Sequence, residues 1–291
     1  MVPQVTVLMA VHNGEPYLRT AIDSILLQTY GAFHFLIVDD ASTDGTRSLI
    51  RSYDDPRIDL VCLERNLGQT AALNVGVRTA ATPWIARMDA DDYSAPTRLE
   101  KQLQALDADS TLSCIGTWAW MFRDDPRVTE GSIERPLDHE AILQELLTGT
   151  PLIHGSLVIR REALLGAGGY DERYRYSADR ALYHRLLPRH RAANLSERLL
   201  GIRRHEQQGS FSLRAADENI EIVWRALRAK THAGEEARTL RDSLAYAYLF
   251  HARCAAVAGA YPGIMRDVLQ ALRLAPRQTL RSLTRGCHGA R

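Results

Sequence analysis

A chain of 291 residues is long enough for one large domain, or a domain with an extension, around a sizeable core. Its 45% apolar and 24% charged residues exclude a disordered or low-complexity chain. The net charge of +1 gives no general basic footprint for nucleic acid, although residues 245–291 hold seven arginines against one acid, Asp267.

"VTVLMAV" (5–11) predicts a buried strand. The turn "HNGEP" follows, with Asn13 as a candidate helix cap, and Leu18, Ile22, Ile25 and Leu26 then recur at helical spacing. "FHFLIV" (33–38) reads as a second strand ending in Asp39 and Asp40, followed by a short helix with Leu49, Ile50 and Tyr53. "IDLVCL" (58–63) reads as a third, with a helix marked by Leu73 and Val77. "WIARM" is the fourth, and Leu99, Leu103 and Leu106 define the next helix. Strands apolar throughout, each followed by a helix, predict a parallel sheet covered on both faces. Beyond that lie a strand at 112–122, a helix over 138–148, and "GSLVIRREALLGAGGYDERYRYSADRALYHRLL" (155–187) as strand, helix, glycine turn, loop and helix. After about Asp217 the pattern is helical almost to the end. The four cysteines, Cys62, Cys114, Cys254 and Cys287, form no Cys-x-x-Cys pair and read as structural thiols in a reducing compartment. No run of about 18 apolar residues is present, and no signal-peptide pattern follows Met1. The chain therefore reads as cytoplasmic.

Ligands of such sheets bind beyond the carboxyl ends of the strands. There the chain carries His12-Asn13, Asp39-Asp40 and the run Asp89-Ala90-Asp91-Asp92. Carboxylates this close repel one another and resist burial, so they need a metal ion, arginines or bulk water to offset them. "DDASTDG" (39–45) fits half of a calcium loop, but its twelfth position is Arg51 instead of glutamate and a strand precedes it, so a turn capping the next helix is the better reading. That turn leaves Asp39-Asp40 without a partner. "MDADD" differs from a haloacid-dehalogenase phosphatase signature, having Tyr93 at the fifth position and lying on the fourth strand. Two acids one residue apart can hold a small divalent cation that leaves positions for phosphate oxygens and water.

The segments "VTVLMAVHNGEPYLRTAIDSILLQTYGAFHFLIVDDASTDGT", "NLGQTAALNVGVRTAATPWIARMDADD", "HGSLVIRREALLGAGGYDERYRYSAD" and "RRHEQQGSFS" resemble, in order, four elements of the family 2 inverting glycosyltransferases. The resemblance runs from about residue 4 to 212. It implies an α/β GT-A fold, a Rossmann-like and mostly parallel central sheet flanked by helices, spanning 1–216 with a helical extension over 217–291. Residues 1–110 would form the nucleotide-binding half and 111–216 the acceptor half. It further implies a nucleoside diphosphate-sugar donor, a hydroxyl acceptor on a saccharide or lipid-linked glycan, and a divalent metal, manganese or magnesium. Asp40 falls where the family recognises the base, with Ala10, His12 and Asn13 beside the nucleotide site. Asp89 falls where a carboxylate contacts the ribose or supports the metal site. Asp91 falls on the metal ligand that bridges to the diphosphate, with Asp92 as its neighbour, and His205 falls on a further metal or phosphate contact. Asp179 falls on the catalytic base, although the glutamate usual before it is Ala178 and an aspartate expected two residues later is Ala181.

Other readings accompany these. Ser177 is a candidate cap with Asp179 complementing the helix dipole, His154 a strand cap, Gly168-Gly169 a positive-φ turn, and Trp118 and Trp120 core packing. The alternative function is a catalytically silent sugar-nucleotide-binding protein. Arg266, Arg273, Arg277, Arg281 and Arg285, set among Val268, Leu269, Leu272, Leu274, Leu280 and Leu283, suit either peripheral contact with an anionic inner membrane face or a packed helix with a solvated face.

Overall fold

The structure, a computed structural model, describes residues 3–205, 213–228, 234–257, 263–276 and 279. Strand β1 (Val5–Val11) is buried at every position. It pairs in parallel with β2 (Phe33–Asp39) on one side and β4 (Trp84–Met88) on the other, while β3 (Ile58–Cys62) extends the sheet beyond β2. The helices α1 (Glu15–Leu26), α2 (Thr46–Arg51) and α3 (Gln69–Thr79) connect these strands. Leu18, Ile22 and Ile25 of α1 are fully buried and join one cluster with Val5, Val7, Phe35 and Met88. Parallel pairing brings the strand ends carrying His12, Asp39 and Asp89 to one edge.

Past β4 the sheet becomes mixed. The full order is β3-β2-β1-β4-β8-β6-β9-β5, with β5 (Tyr93–Ser94), β6 (Leu112–Phe122), β8 (Val158–Arg160) and β9 (Arg191–Arg203), and β7 (Gly131–Ile133) pairs with β6 off this path. Helices α4 (Arg98–Ala108), α5 (His139–Thr148), α6 (Arg161–Gly166) and α7 (Ala178–Leu186) complete this part, with a 3-10 turn at His154–Ser156. Gln28 of the loop after α1 locks β5 to α4, donating to Ser94 Oγ and Ala95 O and accepting from the first-turn N–H of Leu99.

Several local expectations need correction. Asn13 caps no helix: Gly14 holds the N-cap position of α1, and Asn13 sits at φ 52° with its side-chain oxygen accepting from Thr43 N. β3 is not buried on both faces, because as the edge strand it keeps Asp59 and Cys62 exposed. His154 lies in the 3-10 turn and not at a strand cap. The 13-residue β9 has no counterpart in the expected elements. Its alternation is broken by exposed Ser196, Glu197 and Arg198, where register shifts against β6 absorb the irregularity. Gly168 and Gly169 do form a positive-φ turn, at 84° and 68°. Trp118 and Trp120 pack with their indole N–H groups donating to Arg135 O and Pro126 O.

The chain separates into two compact units, residues 1–143 with 150–206, and 144–149 with 207–291. In the second unit α8 (Leu213–Arg228) and α9 (Gly234–Val257) bury Val223, Leu240 and Leu244 together, and α9 packs on α10 (Ile264–Leu274) through Leu249 and Ala271. His251 of α9 bridges Asp217 of α8 at 3.2 Å and Asp267 of α10 at 2.6 Å. Arg277, Leu280, Arg281, Leu283, Arg285, Cys287 and the segment 206–212 lie outside the described residues.

Candidate active site

The acidic run at the end of β4 is offset from beneath by two arginines. Arg87, inside β4, is 1% exposed and donates to Asp89 Oδ1 at 2.5 Å. Arg98, the first residue of α4, is fully buried and donates to Arg87 O at 3.1 Å and Gly155 O at 2.8 Å. Burial works against the charge on Arg98 and draws its pKa down to about 10, with Asp92 and Asp89 opposing. For Arg87 burial also disfavours the charge, but Asp89 and other acidic neighbours win and its proton is held more tightly than usual. Gln102, one turn after Arg98, donates to Ile115 O and Ser156 O, so α4 pins both the β4 end and the 154–156 turn. Gly155 of that turn stands among the acids: a methyl there would lie 3.0 Å from Asp89 Oδ2 and 3.3 Å from Asp92 Oδ2.

The three carboxylates then differ in character. Asp89 resists ionisation through burial, yet Arg87 and a 3.2 Å hydrogen bond from Gln69 overcome this and keep it ionised. Asp91 is raised by burial and by the charge of Asp89, partly relieved by His205, whose Nε2–H donates to Asp91 Oδ2 at 2.9 Å. Asp92 turns inward, 5% exposed, accepts from Arg203 N at 3.0 Å, and is raised well above the usual range by burial and by its two acidic neighbours. Arg203 also donates to Asp91 O and Arg123 O and lies over the rings of Tyr17 and Phe122. Tyr17 in turn packs on His205 with ring centroids 4.8 Å apart.

At the ends of β1 and β2, Asp39 and Asp40 are both satisfied. Asp39 is fully buried and paired with Arg47 at 2.5 Å. Asp40, 2% exposed, accepts from the N–H groups of Leu67 (2.7 Å) and Gly68 (2.8 Å), the chain entering α3. Gly68 has φ 90°, which glycine adopts without steric cost. Ala10 is buried, whereas His12 and Asn13 are exposed, with His12 Nδ1–H donating to Asp40 O at 2.7 Å. Among the described residues, Asn13 and Ala41 are the non-glycine residues with positive φ, at 52° and 57°, and both sit on this rim.

Asp179 lies in the first turn of α7, half-buried, and accepts from Arg180 N at 2.7 Å. Ser177 occupies the N-cap position, but its hydroxyl makes no capping bond. Burial raises the Asp179 pKa, the Arg180 N–H and charge pull it down, and the charge of Asp89 raises it further. Asp89 and Asp179 are therefore within electrostatic reach, with Tyr170 between the two fields. Tyr170 shares a 2.8 Å hydrogen bond with His154 Nε2, and burial and the nearby Arg87 push that imidazole down to about 3, keeping it neutral. Asn74 of α3 donates to Tyr170 O and accepts from Tyr170 N, and Thr70 donates to Tyr174 O, which ties the 170–174 loop to α3.

The carboxylates and His205 thus form one polar group around the β4 end, with Asp40 set apart at the foot of α3. Sequence reasoning did not single out Arg87, Arg98, Tyr17, Gln69 or Tyr170. A lone arginine inside the apolar run "WIARM" was the available signal for Arg87. Among the described residues no three His, Cys, Asp or Glu side chains form a metal cage. Asp91 and His205, at 2.9 Å, offer oxygen and nitrogen donors, and His205 Nδ1 is buried without a hydrogen-bond partner among the described residues. Magnesium and manganese prefer oxygen donors, so Asp91 would be the principal protein ligand, with substrate phosphates and water completing the coordination.

A sequence model described as glycosyl transferase family 2 matches residues 6–167, over half of the chain. The chain belongs to glycosyl transferase family 2. The O-antigen biosynthesis glycosyltransferase WbnJ of Escherichia coli is 31% identical over 253 residues, which is 84% of this chain and 94% of WbnJ. TarS 1–349 of S. aureus, solved with UDP-GlcNAc, superposes with a TM-score of 0.68 at 15% identity, covering 97% of this chain and 92% of that one. The mannosyltransferase PcManGT from Pyrobaculum calidifontis, solved with GDP-Man and Mn2+, gives 0.65 at 23% identity over 99% and 80% of the two chains. The fold is the GT-A fold of these glycosyltransferases, and the chain is an enzyme of a sugar-transferring family.

Proposed function

We propose that this family 2 member transfers a sugar, with inversion, from a nucleoside diphosphate-sugar to an acceptor hydroxyl, in the synthesis of a cell-surface polysaccharide or glycolipid. One arrangement carries the reading: the carboxylates of Asp89, Asp91 and Asp92 gather at the carboxyl end of β4 over the buried Arg87 and Arg98, where sheets of this kind hold their ligands. Asp179, in the first turn of α7, lies within reach of the Asp89 charge and is assigned the role of base. Asp179 takes the proton from the acceptor hydroxyl as its oxygen attacks the anomeric carbon from the face opposite the diphosphate, which inverts the configuration. Holding that base above ordinary carboxylate strength improves its match to neutral pH.

On the donor side, Ala10, His12, Asn13 and Asp40 are assigned to the nucleotide. Asp40 contributes through its carboxylate and by holding the 67–68 turn. Asp89, kept ionised by Arg87, is assigned to the ribose or to support of the metal site. Asp91 and His205 would hold a magnesium or manganese ion, with Asp92 supporting Asp91 from beneath. The ion would neutralise charge building on the leaving diphosphate. TarS and PcManGT were solved with UDP and GDP sugars, so the shared fold does not favour one base.

Incubation with UDP-, GDP- and dTDP-linked sugars, with either metal, tests the reading. The anomeric proton coupling of the product by NMR should report a β linkage from an α-linked donor. A product that keeps the donor configuration would contradict inversion.

A further inference from the structure

Away from the acidic cluster, the first unit contains a cavity of about 240 Å3 that the proposed transfer does not use. Its polar lining is Ser113 of β6, Arg160 of β8, Glu162 of α6, Arg185 of α7, and Arg189 and His190 of the following turn. Three guanidiniums and an imidazole thus share a small space with a single carboxylate.

None of the three arginines has a carboxylate at ion-pair distance among the described residues. Arg185 directs its donors to the carbonyls of Ala167, Ala181 and Gly169, and Asp171, the acid whose charge it feels, is itself paired with Arg173 at 2.5 Å. Arg160 lies 4.5 Å over the Trp84 ring, a contact that orients its planar group without neutralising it. Arg189 is exposed at the rim, and His190 shares a 3.3 Å hydrogen bond with Ser113. Burial of Arg185 works against its charge and draws its pKa below the usual value. An anion with several acceptor oxygens would offset that cost, since guanidinium forks match phosphate oxygens two at a time.

We propose that this cavity is an anion site for a small phosphate-bearing ligand, separate from the donor site. The ligand class follows from the donors: arginine forks with a neighbouring hydroxyl and imidazole suit a tetrahedral oxyanion better than a single-atom halide. The volume admits inorganic phosphate or a small phosphate ester. The site shares no lining residue with Asp89, Asp91, Asp92 or Asp179.

Titration calorimetry of the full chain with inorganic phosphate tests this, with EDTA present and ionic strength matched by chloride. The expected result is saturable binding at one site, weakened about tenfold by Arg160→Gln and by Arg189→Gln. Arg189 is exposed, so its replacement leaves the fold intact even if loss of Arg160 disturbs the packing on Trp84. Asp91→Asn should leave the constant unchanged. Non-saturating heats, equal affinity in the arginine variants, or a constant that moves with Asp91→Asn instead would overturn the proposal.

Discussion

Asp179 sits under opposing influences. Burial and the Asp89 charge favour its protonated form, while the N–H and guanidinium of Arg180 favour the ionised one, and the net effect is a raised pKa. A base must be ionised to act, so activity falls as pH drops through that raised value. The acid limb of kcat/KM should therefore lie above the ordinary aspartate value of about 3.9. It should move lower in Asp89→Asn, which removes a like charge; a limb that stays in place would show that Asp89 does not act on the base. The acidic positions were legible in the sequence because Asp39, Asp40, Asp89, Asp91 and Asp92 each close an apolar run. Their compensation was not. Arg87 and Arg98 offset the β4 cluster, Arg47 pairs with Asp39, and backbone N–H groups of residues 67 and 68 satisfy Asp40. No spacing rule reveals that residues 11 positions apart will meet under one strand end.

Helix α4 does more than cover the sheet. Its buried face carries Arg98 and Gln102 one turn apart, and both reach carbonyls of the turn that contains Gly155. Apolar periodicity located this helix through Leu99, Leu103 and Leu106 but treated its polar residues as the solvent face. Arg98→Met keeps the volume and removes the charge beside Asp89 and Asp92. It should lower stability by about 3–5 kcal/mol, since one member of a buried charge set leaves the others uncompensated. Denaturant unfolding of the variant checks this, and a loss below about 1 kcal/mol would show that water screens the cluster instead. β9 escaped detection for a related reason: its polar centre, Ser196 to Arg198, is tolerated by register shifts against β6, a long-range partner that local patterning cannot supply. The first four strands, by contrast, were read within a residue or two because each is a short apolar run closed by polar residues.

The molecule joins a GT-A unit to a helical one whose charges serve different ends. Asp217, His251 and Asp267 are engaged with each other in the second unit, while Met265 and Leu269 of α10 are 68% and 53% exposed beside Arg266 and Arg273. None of the described helices is long and apolar enough to cross a membrane. Were this face to rest on anionic lipid, each basic residue near the headgroups would contribute about 1 kcal/mol. Flotation with phosphatidylglycerol vesicles should recover the full chain and lose the chain lacking residues 262–291, and equal recovery of both would exclude this contact. That the fold was foreseeable while the acceptor was not has a physical basis. The strands of the parallel half follow from local hydrophobic runs, whereas acceptor choice depends on loop shapes that local patterning does not specify.

The central claim is that the acids of the β4 end and Asp179 serve one transfer reaction, with binding and chemistry divided between them. The most direct measurement compares wild type with Asp179→Asn for both donor-nucleotide affinity and turnover. The account predicts an unchanged dissociation constant and a kcat lower by about 10²–10⁴-fold. Unaltered turnover in the variant, or a wild-type chain that binds the nucleotide-sugar and never transfers it, would contradict the account.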